Sequence, residues 1–422
     1  MCTDTEKAKK NGHLQLVLRL KMSQVLKRVS KDMQKGEDIM SKKSDTSKVK
    51  ILELIALTGE MNSNEIKSFF NSSSYIEKVI TELKKESFIK KFKTEDKSVL
   101  RLTAKGKGYL KEILPDIFEK LLSGQKSMNR VRNDKRRNDR RDKLTDILNM
   151  FHRADVKIFP DEKVLLRDNS VNTRADNTDT YRREFYTSSE IKSIVPDYKN
   201  SIGSRAMGIL AANSKLYIIY STVDGDLFWR QDTEKNFYIN TKKILSERLF
   251  GGSCETYLFV LADKPQTAMT LCKRYSGQRQ GKIYPSDELP MIFALKNTEA
   301  DATLKLILQK ECVIESLTEI FKRELVFDKK YGFFDGVRKS KYKDEHGFIK
   351  ERETGYVLAF LFEPGRIAQA IAVSKFLEVN IICFDYQREY IELYLENNDL
   401  GINRKIDILS NSVEDYKENY LK

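Results

Sequence analysis

Between residues 48 and 122 the apolar residues recur with a helical period three times, then alternate over two short stretches, then turn helical again. This order constrains the chain more than any other feature it carries. KVKILELIALTG reads as a first helix, with Val49, Leu52, Ile55 and Ala56 inward and Gly59 as its stop. NSNEIKSFF reads as a second, with Asn62 or Ser63 as N-cap. SSSYIEKVITELKKES reads as a third, opening at Ser72 to Ser74 and carrying an apolar stripe of Ile76, Val79, Ile80 and Leu83. FIKKFKTEDKSVLRLT reads as two strands around a TEDK turn, and AKGKGYLKEILPDIFEKLL returns to helix.

Helix–helix–helix–hairpin–helix is the order of a winged helix-turn-helix. The stretch also resembles the MarR- and PadR-like families of DNA-binding regulators. That resemblance rests on Leu102–Thr103–Ala104–Lys105–Gly106–Lys107 after the hairpin, similar to an LT-x-x-G segment in those families. It implies a third helix in the major groove and a hairpin beside the backbone or minor groove. In that pose Ser72, Ser74, Tyr75, Lys78 and Lys85 face duplex DNA, with Thr81 and Lys84 at the margin, and Lys91, Lys93, Lys97 and Arg101 contact phosphates from the wing.

Charge supports a polyanionic partner. The net charge is +14, and it is uneven. Residues 1–47 carry +5, residues 48–125 carry +4 and residues 126–143 carry +6, so the remaining 279 residues are close to neutral. The run 126–143 holds nine basic side chains and reads as a flexible or helical linker. Arg130, Arg132, Arg136, Arg137, Arg140 and Arg141 are its candidates for phosphate forks. Residues 14–29 form an amphipathic pattern suited to packing on the next domain or to dimerisation.

Other classes find little support. There is no span of about 18 apolar residues for a membrane helix, and the N-terminus has no apolar signal core. Five cysteines without a CxxC pair and three scattered histidines argue against structural zinc and a disulfide framework, and for a reducing cytoplasm. No cofactor is expected.

The expected architecture is α+β and multidomain. A basic tail spans 1–47, a winged helix 48–122 and a basic linker 123–143. An α/β domain spans 144–422, with a sub-boundary near 280–330. Within the last, a helix at 188–195, strands at 206–212, 215–221 and 226–231, a helix at 233–250 and a strand at 255–263 are expected. That order is similar to the core of restriction-endonuclease-like nucleases, which hold metal with an acid on the second strand and an acid-x-Lys pair on the third. Here those positions are degraded, leaving Glu190, Asp226 and Glu234 as the candidate catalytic acids. Near the end, strand, helix and strand at 355–387 form a βαβ unit with a parallel pair.

The whole layout resembles replication-relaxation proteins of Gram-positive plasmids and conjugative elements. The residues behind this are Tyr181–Lys192, Gly203–Ser204–Arg205 and Ile381–Gln387. The resemblance implies a non-enzymatic protein that binds specific duplex sites in plasmid replication, conjugal transfer or control of its genes. A relaxase or replication protein would be the partner, and a homodimer remains open. A metal-dependent nuclease and a ligand-sensing regulator are the alternatives.

Overall fold

The computed structural model describes residues 46–93, 97–123, 135–164, 166, 181–194, 204–222, 231–262, 291–295, 299–309, 313–324, 326–328, 333–337, 353–363, 366–367, 370–371, 374, 378–397 and 406–421. The segment 14–29, Arg130, Arg132 and Asp226 lie outside them. The chain is a mixed α+β protein that divides into two units, Met1–Leu110 and Lys111–Lys422.

In the first unit, helix α1 spans 46–58 and is buried from Ile51 to Thr58. Gly59 ends it at φ 88°, a conformation that costs glycine nothing, and its N–H closes on the Ile55 carbonyl at 2.8 Å. α2 spans Ser63–Lys67 behind a capping box, in which Asn62 accepts from the Asn64 and Glu65 amides while Glu65 accepts from the Asn62 amide. α3 spans Ser73–Lys85 and buries Ile76, Val79, Ile80 and Leu83, the stripe expected from the sequence. β1 (Ile89–Lys93) and β2 (Ser98–Leu102) pair antiparallel in the register Ile89↔Leu102. Met61 forms an isolated bridge to Leu100, so the segment after α1 rests on the outer edge of the hairpin.

The LT-x-x-G segment has a packing explanation. The Thr103 hydroxyl donates to the Ser87 carbonyl at 2.6 Å and accepts from the Gly106 amide at 3.1 Å, which starts α4 (Ala104–Ile113). That turn lies directly against the Phe88 backbone. A Cβ on Gly106 would overlap the Phe88 carbonyl oxygen, which is why only glycine fits there.

The second unit contains α5 (Pro115–Ser123), which packs against α7 (Ser188–Ile194), so the chain changes units inside the segment expected to be wholly winged helix. The reason is its apolar face, where Phe118, Leu121 and Leu122 are buried. α6 (Lys135–Arg153) is likewise no simple linker: Ile147, Leu148, Met150 and Phe151 are core residues, and the Phe151 ring packs on Phe185 at 4.6 Å.

Two five-stranded sheets follow. The first has the order β3-β4-β5-β6-β7: Arg183–Thr187, Gly208–Ala212, Lys215–Ser221, Glu255–Ala262 and Met291–Leu295. β3, β4 and β5 are antiparallel, and β6 and β7 are added in parallel. The β4–β5 turn uses Asn213 and Ser214 at positive φ, the geometry of a two-residue hairpin. Helix α8 (Gln231–Phe250) separates β5 from β6. α9 (Glu299–Leu308) and α10 (Val313–Glu324) lead to the second sheet.

Its strands are β8 (Val326–Asp328), β9 (Phe333–Val337), β10 (Glu353–Leu358), β11 (Glu378–Phe384) and β12 (Ile406–Asn411), hydrogen-bonded in that order. Again three antiparallel strands are followed by two parallel ones, so the second sheet repeats the topology of the first. α11 (Asp385–Asn397) joins β11 to β12, and α12 (Val413–Tyr420) ends the fold. The period-2 alternation of a strand sends Val357, Ile381 and Cys383 to one core, shared with the first sheet. Tyr356, Leu358, Ile382 and Phe384 go to another, under α10 and α12.

The strand order of the first sheet differs from the expected one. β5 is hydrogen-bonded on both edges, to β4 and β6. The antiparallel trio begins instead at β3, which precedes the helix expected to open the core. Gln231 belongs to α8, and 223–230 lie outside the described residues.

Candidate nucleic-acid interface

The solvent face of α3 is built by where its acids go. Glu82 and Glu86 pair with Lys48 of α1 at 3.4 and 2.8 Å, and Glu77 pairs with Lys67 of α2 at 2.8 Å. The hydrogen bond that Lys48 donates to Glu86 raises the Lys48 pKa, and the one that Lys67 donates to Glu77 lowers the Glu77 pKa, as expected for partners that favour each other's charged forms. The lysines of α3 are left. Lys78 and Lys85 are exposed and make no hydrogen bond or ion pair among the described residues, and Lys84 is exposed beside them. Ser72 and Ser74 are exposed at the start of the helix, where Ser72 occupies the N-cap without a side-chain capping bond, and Tyr75 is half-buried. Thr81 is exposed but returns its hydroxyl to the Glu77 carbonyl at 2.8 Å.

On the hairpin, Lys91 and Lys93 are exposed, as is Lys90, and Lys97 is half-buried just before β2. Phe92 is 38 % exposed, an aromatic on a strand otherwise lined by lysines. The sequence reading passed over Lys90 and Phe92. The IKKFK pattern places Lys90 and Phe92 on one side and Lys91 and Lys93 on the other, but all four are exposed because this strand buries only Ile89.

Arg101 does not belong to this surface. It is 6 % exposed, its Nε donates to Glu60 Oε2 at 2.7 Å and its Nη2 ion-pairs with the same oxygen. Its guanidinium lies 4.7 Å from the Phe92 ring centre. The physical reason is the Met61–Leu100 bridge, which brings Glu60 alongside the next residue of β2.

The arginine run is also divided. Arg136 and Arg137 lie in the first turn of α6. Arg140 turns inward and donates to the carbonyls of Ser204 (3.4 Å) and Ala206 (2.7 Å) and to the Ser188 hydroxyl (3.3 Å). Burial lowers its pKa, helped by the charge of Arg205. Arg141 is half-buried, and Lys143 is buried and bonded to the Thr222 carbonyl. The α/β unit thus consumes the end of the basic run to hold its own backbone.

The candidate acids have structural partners. Glu190 accepts from the Thr187 amide at 2.7 Å, capping α7, and pairs with the buried Lys163 at 2.6 Å. Glu234 accepts from the Ser204 hydroxyl (2.8 Å), the Arg205 amide (2.7 Å) and the Tyr220 hydroxyl (2.8 Å). Among the described residues no three His, Cys, Asp or Glu side chains stand together as a metal site would require, and no helix is long and apolar enough to cross a membrane.

No protein-family model, curated protein or solved structure matches the chain.

The larger unit also holds a cleft of about 270 Å³. Tyr217 and Tyr257 stack in its lining at 5.4 Å, and Lys215 there pairs with Glu255 and Glu315.

Proposed function

We propose that this chain binds duplex DNA, with residues 46–110 acting as a winged helix. α3 would enter the major groove and the β1–β2 hairpin would lie along the backbone. The observation that carries the reading is the sorting of charge on α3: its two acids, Glu77 and Glu82, and its C-cap Glu86 pair with lysines of α1 and α2, so Lys78 and Lys85 are left without an ion-pair partner among the described residues, on a unit that also exposes Lys84, Lys90, Lys91 and Lys93. Side chains of mixed kind at the start of α3, Ser72, Ser74 and Tyr75, would supply base readout, and the lysines would supply phosphate contacts.

The replication-relaxation resemblance extends this proposal to a site on a mobile element, with a relaxase or replication protein as partner. The nuclease alternative loses support because Glu190 and Glu234 are engaged in capping and backbone bonds.

The test is a gel-shift titration of the full chain over a range of salt. Replacing Lys78 and Lys85 together by alanine should weaken binding and reduce the slope of log K against log salt by about 2, since each phosphate contact contributes about 0.9. An unchanged affinity and slope would remove α3 from the interface. Deleting 126–143 is not a clean test of the basic run, because it removes the first half of α6.

A further inference from the structure

A second cationic centre lies in the larger unit, at the junction of α6, α7, α8 and the segment entering β4. Arg140 grips the carbonyls of Ser204 and Ala206, which flank Arg205. The Arg205 amide in turn donates to Glu234. Arg140 also holds Ser188, the first residue of α7, and Lys192 lies one helical turn further along the same face. The charges of Arg140, Lys192 and Arg205 act on one another and on one carboxylate, Glu234.

That carboxylate already accepts hydrogen bonds from three neutral donors, Ser204, Tyr220 and the Arg205 amide. The Lys192 ammonium, half-buried, makes no hydrogen bond or ion pair among the described residues. Desolvation first, and then the charge of Arg140, push its pKa down to about 8. Among the described residues, three cations against one carboxylate leave two positive charges in excess in a partly desolvated place, an arrangement that costs stability unless an anion joins it. The Arg205 side chain is exposed, so the centre opens to solvent on that side.

We propose that this centre is a phosphate-binding site, in which Lys192 and Arg205 hold the anion directly and Arg140 is a positioning residue that fixes the 204–206 backbone. A phosphate or phosphoester matches both the excess charge and the several donors on offer. The proposal does not rest on the winged-helix reading. The phosphate belongs either to a nucleic acid backbone or to a small phosphorylated compound.

The experiment uses the full chain and its Lys192→Met and Lys192→Arg variants. Thermal melts are followed with inorganic phosphate, ATP or chloride at matched ionic strength. Phosphate or ATP should raise the wild-type midpoint saturably beyond the chloride control. Lys192→Met should melt higher than wild type without anion and bind phosphate at least about tenfold more weakly, while Lys192→Arg should retain binding. Loss of duplex affinity and of about one unit of salt slope in Lys192→Met would assign the phosphate to nucleic acid. Unchanged duplex binding with loss of the phosphate or ATP effect would assign it to a small compound. The Lys78→Ala, Lys85→Ala variant should keep the phosphate effect, which separates this site from α3. No phosphate-specific shift in wild type, or an equal shift in Lys192→Met, would overturn the proposal and make Lys192 part of an internal charge balance.

Discussion

Replacing Arg101 by alanine should unfold the N-terminal unit locally rather than weaken a DNA contact. Arg101 and Glu60 are 6 % and 3 % exposed and joined by a 2.7 Å hydrogen bond and an ion pair. Removing one member of such a pair leaves a buried charge uncompensated, at a cost of about 3–5 kcal/mol. A unit of this size is stable by about 5–10 kcal/mol, so the loss is a large part of the whole. Hydrogen exchange of the full chain reads this directly, because peptides from 46–110 report their own opening free energy. Arg101→Ala should accelerate exchange across α1, α3 and β2 together and reduce DNA binding in parallel. Arg101→Met combined with Glu60→Leu should restore both, because an apolar pair of similar volume is close to neutral in such sites. If Arg101→Ala keeps full protection but loses DNA affinity, and the double variant fails to recover it, Arg101 is a phosphate contact and the reasoning is wrong.

Two further outcomes follow from the same structure. Gly106→Ala should destabilise the first unit by about 1–3 kcal/mol, because the added methyl must displace the Phe88 backbone; Gly108→Ala, where a Cβ meets nothing, is the control in a urea titration. Lys192 gives a pH signature. Its pKa is lowered from 10.5 to about 8 by burial and by Arg140, with Arg205 adding to that and Glu234 opposing it. Between those values the unfolded chain binds more protons than the folded one, so this group makes stability rise with pH from about 8 to 10.5, and its penalty is fully present below 8. The full shift corresponds to about 3 kcal/mol, and partial exposure reduces it to about 1–2. Lys192→Met should therefore be more stable than wild type by that amount at pH 7, in low-phosphate buffer, and the gain should fade by pH 10.5. A constant difference across that range would refute it.

Much of the local structure was legible in the residues. The stripe Ile76–Val79–Ile80–Leu83 places α3, Gly59 places the end of α1, and Asn213–Ser214 places the β4–β5 hairpin. Of the strand expected at 226–231, only Gln231 is described, as the first residue of α8. β3 was missed because Arg183 and Glu184 interrupt its apolar pattern, although Glu184 is buried in a bond with Tyr186.

Charge was legible only as a total. The sequence by itself determined that the first 143 residues carry the positive excess, and periodicity determined which residues of α3 face outward. Which cations remain available was decided by tertiary structure. Lys48 and Lys67 are spent on α3 acids, Arg101 on Glu60 and Arg140 on the backbone before β4, while Lys192, in the near-neutral part of the chain, is left beside two arginines. The reason is physical. A helix or strand period depends on neighbours a few residues apart, whereas the partner of a charge is set by which distant segments are folded against it. Desolvation then decides whether that charge is bound, neutralised or left to a ligand.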